Sequence, residues 1–361
     1  DFAYACPAAT RLADTPVRAD DVGRSEGMKA MSTPTPAATG GAPQAAAGGL
    51  AHLPLPLFAA PMGIGGLGLA WREAGHVLGA PGIVGELLLL LAGLTWLVVA
   101  GLHVVRATRH PQALAGDLKH PIRSAFVGAI TIGLMIVAGG FIPYARGFAS
   151  GLWLVAVAAH LGIGIWTVRG LLTAPREAAT LTPPLLIPLV GNILAPVIGA
   201  KLGFVELSWA LFGLGALLWV LIQPSIINRI ATGPTMPDRL KPTLVILLAP
   251  PAVGSIALAH LTQGFGAGPS AIYGLAAFVA AVLVTIVPTF RRIPFAMSWW
   301  GYTFPSAAFS VATSAFTGAH PSGVATLVSW GVLLAATAII ATVVVATLKA
   351  AASGHLLQPE G

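Results

Sequence analysis

Ten apolar stretches follow one another along the chain, and every second one is interrupted near its middle. They cover about 55–71, 84–105, 122–141, 149–172, 184–199, 205–222, 242–262, 269–289, 296–317 and 322–348. Each has the length a helix needs to cross a bilayer, roughly 17 to 25 residues. In the odd-numbered stretches Pro61, Pro188, Pro250 with Pro251, and Pro305 fall inside the apolar run. The third stretch has no internal proline but carries Gly128, Gly133, Gly139 and Gly140. The even-numbered stretches hold proline only near their ends, at Pro224, Pro269, Pro288 and Pro321. A helix broken inside hydrocarbon exposes backbone groups that lipid cannot satisfy, so it must be buried in protein or line a wet cavity.

The pattern predicts an all-α integral membrane protein with ten transmembrane helices arranged as five hairpins. The breaks fall near 61, 133, 188, 250 and 305, roughly 55 to 70 residues apart, one hairpin per interval. Five broken helices with five intact neighbours read as an inner ring inside an outer ring. Five such hairpins set around an axis would put all five broken helices inside, as in a pore, with the breaks at Pro61, Gly63, Gly133, Pro188, Pro250 and Pro305.

Composition agrees with the pattern, since 56% of residues are apolar and 9% charged, against about a quarter charged in a soluble domain. The net charge of +7 is explained by topology. One set of loops holds Arg106, Arg109, Lys119, Arg123, Arg169, Arg176, Arg229, Arg239, Lys241, Arg291, Arg292 and Lys349. The opposite set holds only Arg72, Arg146 and Lys201. The basic side is cytoplasmic by the positive-inside rule, and an even span count puts both termini there. No aromatic-interleaved basic patch points to nucleic acid.

Residues 1–50 are rich in Ala, Gly, Pro, Thr and Asp and read as a disordered cytoplasmic tail. Met28 and Met31 are alternative starts, which makes 1–27 an expected over-extension of the translated chain. The single cysteine, Cys6, lies there. Residues 51–350 form the membrane domain and 351–361 a short cytoplasmic tail.

Ionisable groups inside a span mark function by default, and here they are nearly absent. Glu86 and Glu206 lie at the outer ends of spans two and six, and no carboxylate sits at mid-membrane depth. A proton relay, a sodium site and an acidic cation filter therefore lack residues. An anion would meet no like charge on a route lined by Gly, Ala, Ser and Thr. Arg123, Arg291 and Arg292 would raise anion concentration at the cytoplasmic mouth. His160 is the only histidine near a span centre and reads as a packing residue bonded to a neighbouring helix. No second histidine pairs with it for haem, no metal spacing occurs, and no cofactor is expected.

Trp299-Trp300-Gly301-Tyr302-Thr303-Phe304-Pro305 is the most distinctive local run. The tryptophans read as an interfacial belt. Phe304 precedes a proline, which biases its backbone away from the helical region; its ring is then either ordinary packing or a plug.

From about 53 to 349 the chain resembles the tellurite-resistance/C4-dicarboxylate transporter family. That family includes bacterial tellurite-resistance protein A, fungal malate and sulfite carriers, and plant slow-type guard-cell anion channels. The resemblance rests on Phe58-Ala59-Ala60-Pro61-Met62-Gly63-Ile64 through Leu69-Ala70-Trp71, on His120-Pro121-Ile122-Arg123 with Phe126, and on Pro188 with Asn192. It rests also on Leu248-Ala249-Pro250 and the run ending Phe304-Pro305. It implies ten helices in a quasi-five-fold pore with inner helices kinked by proline, a homotrimer in the bacterial inner membrane with one pore per subunit, and Phe304 as the gate. The function it implies is passive passage of small anions, with proton-coupled export of dicarboxylate, sulfite or tellurite oxyanions as the alternative. An enzyme is not expected.

Overall fold

The computed structural model describes residues 49–174, 177–290 and 292–358. The tail expected over 1–50 falls almost wholly outside these residues, as does Arg291. Among the described residues the chain is all-helical, with no strand. Eight helical runs are long and apolar enough to cross a membrane, which makes this a multi-pass membrane protein.

Five long helices alternate with shorter, interrupted runs. The long ones are α2 (Gly82–Arg109), α5 (Arg146–Thr173), α8 (Val205–Thr232), α10 (Ala267–Phe290) and α12 (Gly323–Ala352). The interrupted runs contain α1 (Ala59–Leu78), α4 (Val127–Phe141), α6 (Leu186–Val190) with α7 (Ala195–Leu202), α9 (Ala249–Leu261) and α11 (Thr303–Ala319). A short helix, α3 (Pro111–Lys119), links α2 to the third run.

Burial follows the same alternation. In the apolar windows of the five long helices only 17–28% of residues are buried, against 67–83% for the runs Arg123–Phe141, Pro183–Leu202 and Asp238–Leu261. The long helices turn Leu87, Leu90, Leu97, Leu172, Val220 and Leu327 outward. Such a surface suits hydrocarbon and not water. α1 and α11 are not among the eight apolar runs, because α1 is glycine-rich and carries Arg72 and Glu73, and α11 is short and rich in Ser and Thr. Both are nonetheless mostly buried.

Each interrupted run changes helix type along its length. A tight 3₁₀ segment precedes the α-helix: Leu55–Phe58 before α1, Arg123–Phe126 before α4, Pro183–Leu185 before α6, Asp238–Leu248 before α9 and Met297–Tyr302 before α11. The prolines sit in the first turn of the α segment, where a missing N–H costs nothing. Pro61, Pro188 and Pro305 are third residues of their helices, and Pro250 is a second. They therefore mark the junction and do not kink a continuous helix.

Gly133 behaves differently from the expectation. It lies inside α4, which runs unbroken, and the third run changes type at Phe126–Val127 instead. A side chain at Gly133 would come within 3.1 Å of Trp96. This glycine makes room for an outer helix.

Polar groups tie the ends of the helices. Arg72 of α1 pairs with Glu86 of α2 at 2.7 Å and donates to the Gly139 and Gly140 carbonyls of α4. At the opposite end Arg106 of α2, buried, pairs with Asp117 of α3 at 2.6 Å and donates to the Ala51 carbonyl. Asp117 also faces Arg123 at 3.3 Å. A charge with this little exposure is tolerated because its partner is buried with it.

Candidate functional site

All five interrupted runs meet at one central cavity. Ala59 and Met62 reach it from α1, Phe126 and Ile132 from the third run, and Leu186, Ile187, Val190, Gly191, Ile193 and Leu194 from the fifth. Ile246, Ala249, Pro250 and Val253 come from the seventh, and Trp300, Gly301, Phe304 and Pro305 from the ninth. The cavity measures about 50 Å³, and every side chain lining it is apolar. The expected lining of serine and threonine is therefore corrected. Ser255 donates to Ala252 and Thr303 to Trp300 within their own runs, Thr317 meets Ser329 of α12, and the Ser310 and Ser314 hydroxyls are buried without a partner. The junction amides also bond back into their 3₁₀ turns, Val127 to Ala125 and Ser124, and Ala249 to Ile246. The cavity thus offers no free backbone donors at these junctions.

Phe304 is the second residue of α11, so its backbone is helical and not extended as the following proline suggested. Its ring is aimed by the helix face, packs within the core and is 8% exposed. It lies against Gly66 of α1: a methyl there would stand 3.1 Å from Cδ2. The absence of a side chain at Gly66 is what lets the ring lie between α1 and the cavity.

Of the six residues read as breaks, Pro250 and Pro305 line the cavity, and Pro61, Gly63, Gly133 and Pro188 do not. Gly63 faces the start of α11, where an added Cβ would fall 2.2 Å from Thr303 Oγ1. Gly128 meets the Pro188 backbone, with an added Cβ at 2.9 Å. These residues bring the inner runs close together.

Trp300 departs from the belt reading. It is 1% exposed, lines the cavity and donates from Nε1 to Thr347 of α12 at 3.1 Å. Trp299, half-buried, packs edge-on against Tyr302. His160 of α5 is fully buried beside Thr131 of α4, with Nδ1 2.7 Å from its hydroxyl. Because that hydroxyl donates to the Gly128 carbonyl, Nδ1 carries the proton, and Nε2 is left facing Gly191 without a partner.

A wider vestibule of about 950 Å³ opens at the end that carries the basic residues. Arg123 lines it, with His120, Arg239, Lys349 and His355. Arg292 is exposed and is not part of the lining. Phe126 is the one residue shared by vestibule and central cavity. His120 Nδ1 accepts from the Ile122 and Arg123 amides at 3.2 Å and so caps the third run. Partial burial, and secondarily the Arg123 charge, hold this imidazole below the ordinary histidine range.

Sequence reasoning passed over Phe126, Ile132, Ile246 and Trp300 as cavity residues. Phe126 was within reach, since it follows the His120-Pro121-Ile122-Arg123 run.

The sequence model of the voltage-dependent anion channel family (SLAC1) matches residues 52–348. The chain is 26% identical over 289 residues to the S-type anion channel SLAH2 of Arabidopsis thaliana, covering 77% of this chain and 55% of that protein. It is 23% identical to the Arabidopsis guard cell S-type anion channel SLAC1, covering 78% and 52%. Similarity to the tellurite resistance protein TehA homolog of Haemophilus influenzae is 23%, covering 73% and 81%. The chain thus spans about half the length of the plant relatives and most of the bacterial one. The chain belongs to the voltage-dependent anion channel family.

Proposed function

We propose that this family member passes small anions through the central cavity and that Phe304 closes it. The observation that carries the reading is the meeting of five separate helical runs on one apolar cavity beside the Phe304 ring. Entry of an ion into so small an apolar space costs several kcal/mol, so the path is shut by dewetting until it widens. Removal of the ring, or its displacement as the surrounding helices shift, supplies the width. The basic vestibule concentrates anions at one end. The described cavity lining holds no carboxylate to repel them.

In this reading the ten helices form five hairpins around the pore, with α1 and α11 as its first and ninth members. The same reading takes the vestibule and both termini as cytoplasmic, which the positive-inside rule supports, and takes the protein as a homotrimer of a bacterial inner membrane. The residues proposed as the mouth are Arg123, Arg291 and Arg292, to which Arg239 and Lys349 are added from the vestibule lining.

The extent of similarity to the TehA homolog favours a second reading, coupled export of oxyanions, sulfite or C4-dicarboxylates. Reversal potentials of reconstituted protein separate the two. A channel follows the chloride gradient and ignores an imposed pH gradient; a shift of the reversal potential with pH at constant chloride rejects the channel.

A further inference from the structure

We infer that the vestibule is a binding site for soluble polyphosphate-class anions, and that an occupant plugs the mouth of the pore. The inference rests on the proposed pore reading for its plugging step and on the vestibule alone for its binding step.

The argument begins with size. The vestibule holds about 950 Å³ and the central cavity about 50 Å³, with Phe126 on both linings. The larger space falls within the range of small-molecule sites, about 300–1,000 Å³. An anion bearing several charges fits the vestibule, but its desolvation in the apolar cavity costs several kcal/mol per charge. It therefore halts where the lining changes from cationic to apolar.

The chemistry of the wall is that of a phosphate site. Arg123, Arg239 and Lys349 reach it from three different segments of the fold. Arg239 and Lys349 are exposed and form no ion pair among the described residues. Arg123 shares Asp117 with Arg106, at the longer distance of 3.3 Å. His120, whose Nδ1 is occupied by two backbone amides, must carry its proton on Nε2 when neutral and so presents a donor. His355 completes the wall, and no carboxylate among the described residues lines it. Guanidinium groups bind phosphate oxygens in forked pairs, and the lysine adds a point charge.

A lipid headgroup bearing vicinal phosphates has the same chemistry. The soluble source is favoured because four of the five lipid-facing helices, α2, α5, α8 and α10, contribute no lining residue; α12 alone reaches the wall, through Ala346, Lys349 and Ala350 near its end.

The test uses inorganic tripolyphosphate titrated calorimetrically into the full chain in phosphatidylcholine nanodiscs. The combined R239Q and K349Q variant loses two charge-assisted contacts, so its affinity falls at least about tenfold. R109Q makes the same change at an exposed position outside the vestibule and stays within about twofold of the parent. No binding by the parent, or equal loss in R109Q, overturns the site. Displacement of tripolyphosphate by phosphatidylinositol bisphosphate placed in the nanodisc overturns the soluble assignment. For the plug, tripolyphosphate on the vestibule side of liposomes lowers chloride efflux through F304A at the concentration that half-saturates binding. Saturation without loss of efflux overturns the plug. If F304A itself carries no chloride, the pore reading fails while the titration still decides the site.

Discussion

Replacement of Gly63 by alanine tests how tightly α1 and α11 are fitted. The added methyl would lie 2.2 Å from Thr303 Oγ1 and 2.6 Å from Thr303 Cβ. An ordinary contact begins at 3.4 Å, so the hydroxyl must retreat by about 1.2 Å to escape the repulsive wall. A rotamer change cannot relieve the clash, because Cβ is itself too close and Thr303 is fully buried. The first turn of α11 must therefore move. Overpacking of this kind costs about 1–3 kcal/mol. At about 2–4 °C per kcal/mol, the apparent melting temperature in detergent falls by roughly 2–12 °C. Because Thr303 adjoins Phe304, the same displacement moves the ring, and chloride leak through liposomes rises. Gly101→Ala is the control: nothing lies within 4 Å of that added methyl, and the better helix propensity of alanine leaves stability unchanged or slightly improved. If Gly63→Ala melts with the parent and Gly101→Ala, the close fit of α1 to α11 is wrong.

Gly191→Ala places a methyl 2.6 Å from His160 Nε2, and destabilises by about 1–3 kcal/mol. Combining it with His160→Ala makes space for that methyl, so a double-mutant cycle of melting temperatures shows strong non-additivity; simple addition of the two losses refutes the contact. His120 bears on pH dependence. Its folded pKa lies below the unfolded value, so its stabilising contribution is present above the unfolded histidine pKa and is lost as pH falls through the folded one. Melting between pH 7 and 5 therefore declines modestly in the parent. His120→Asn keeps a capping acceptor and flattens that part of the decline; an unchanged pH profile contradicts the assignment.

Much of the architecture was readable from the chain because lipid leaves the sequence few options. A run such as 84–105 can only be a helix, and the proline-bearing runs proved to be the buried ones. Pro61, Pro188, Pro250 and Pro305 lie in the first turns of their α segments, a position that suits proline. Pro224 and Pro288, however, lie inside α8 and α10, so proline alone does not mark a junction. Gly133 misled because a glycine has two uses, bending a backbone or admitting a neighbour, and the neighbour here is Trp96, on another helix. The same holds for Gly63 and Thr303, which are distant in sequence and meet only in the folded state. Phe304 does line the cavity, but the helix face aims its ring, and its backbone before Pro305 is helical; its part as a gate is a proposal. Phe126, Ile132 and Ile246 were missed because every face of an inner helix is apolar, so periodicity does not mark the side that faces the cavity. Trp300 was assigned to the membrane surface because its type is common there, and its hydrogen bond to Thr347 depends on a helix that follows much later.

Chloride current through Phe304→Ala, measured in planar bilayers against the parent, tests the central claim most directly. Removing the ring from the cavity wall widens an apolar constriction, and a barrier lowered by about 1.4 kcal/mol or more raises conductance at least about tenfold. The account predicts a constitutive anion current whose reversal follows the chloride gradient. A folded variant that conducts no more than the parent contradicts it.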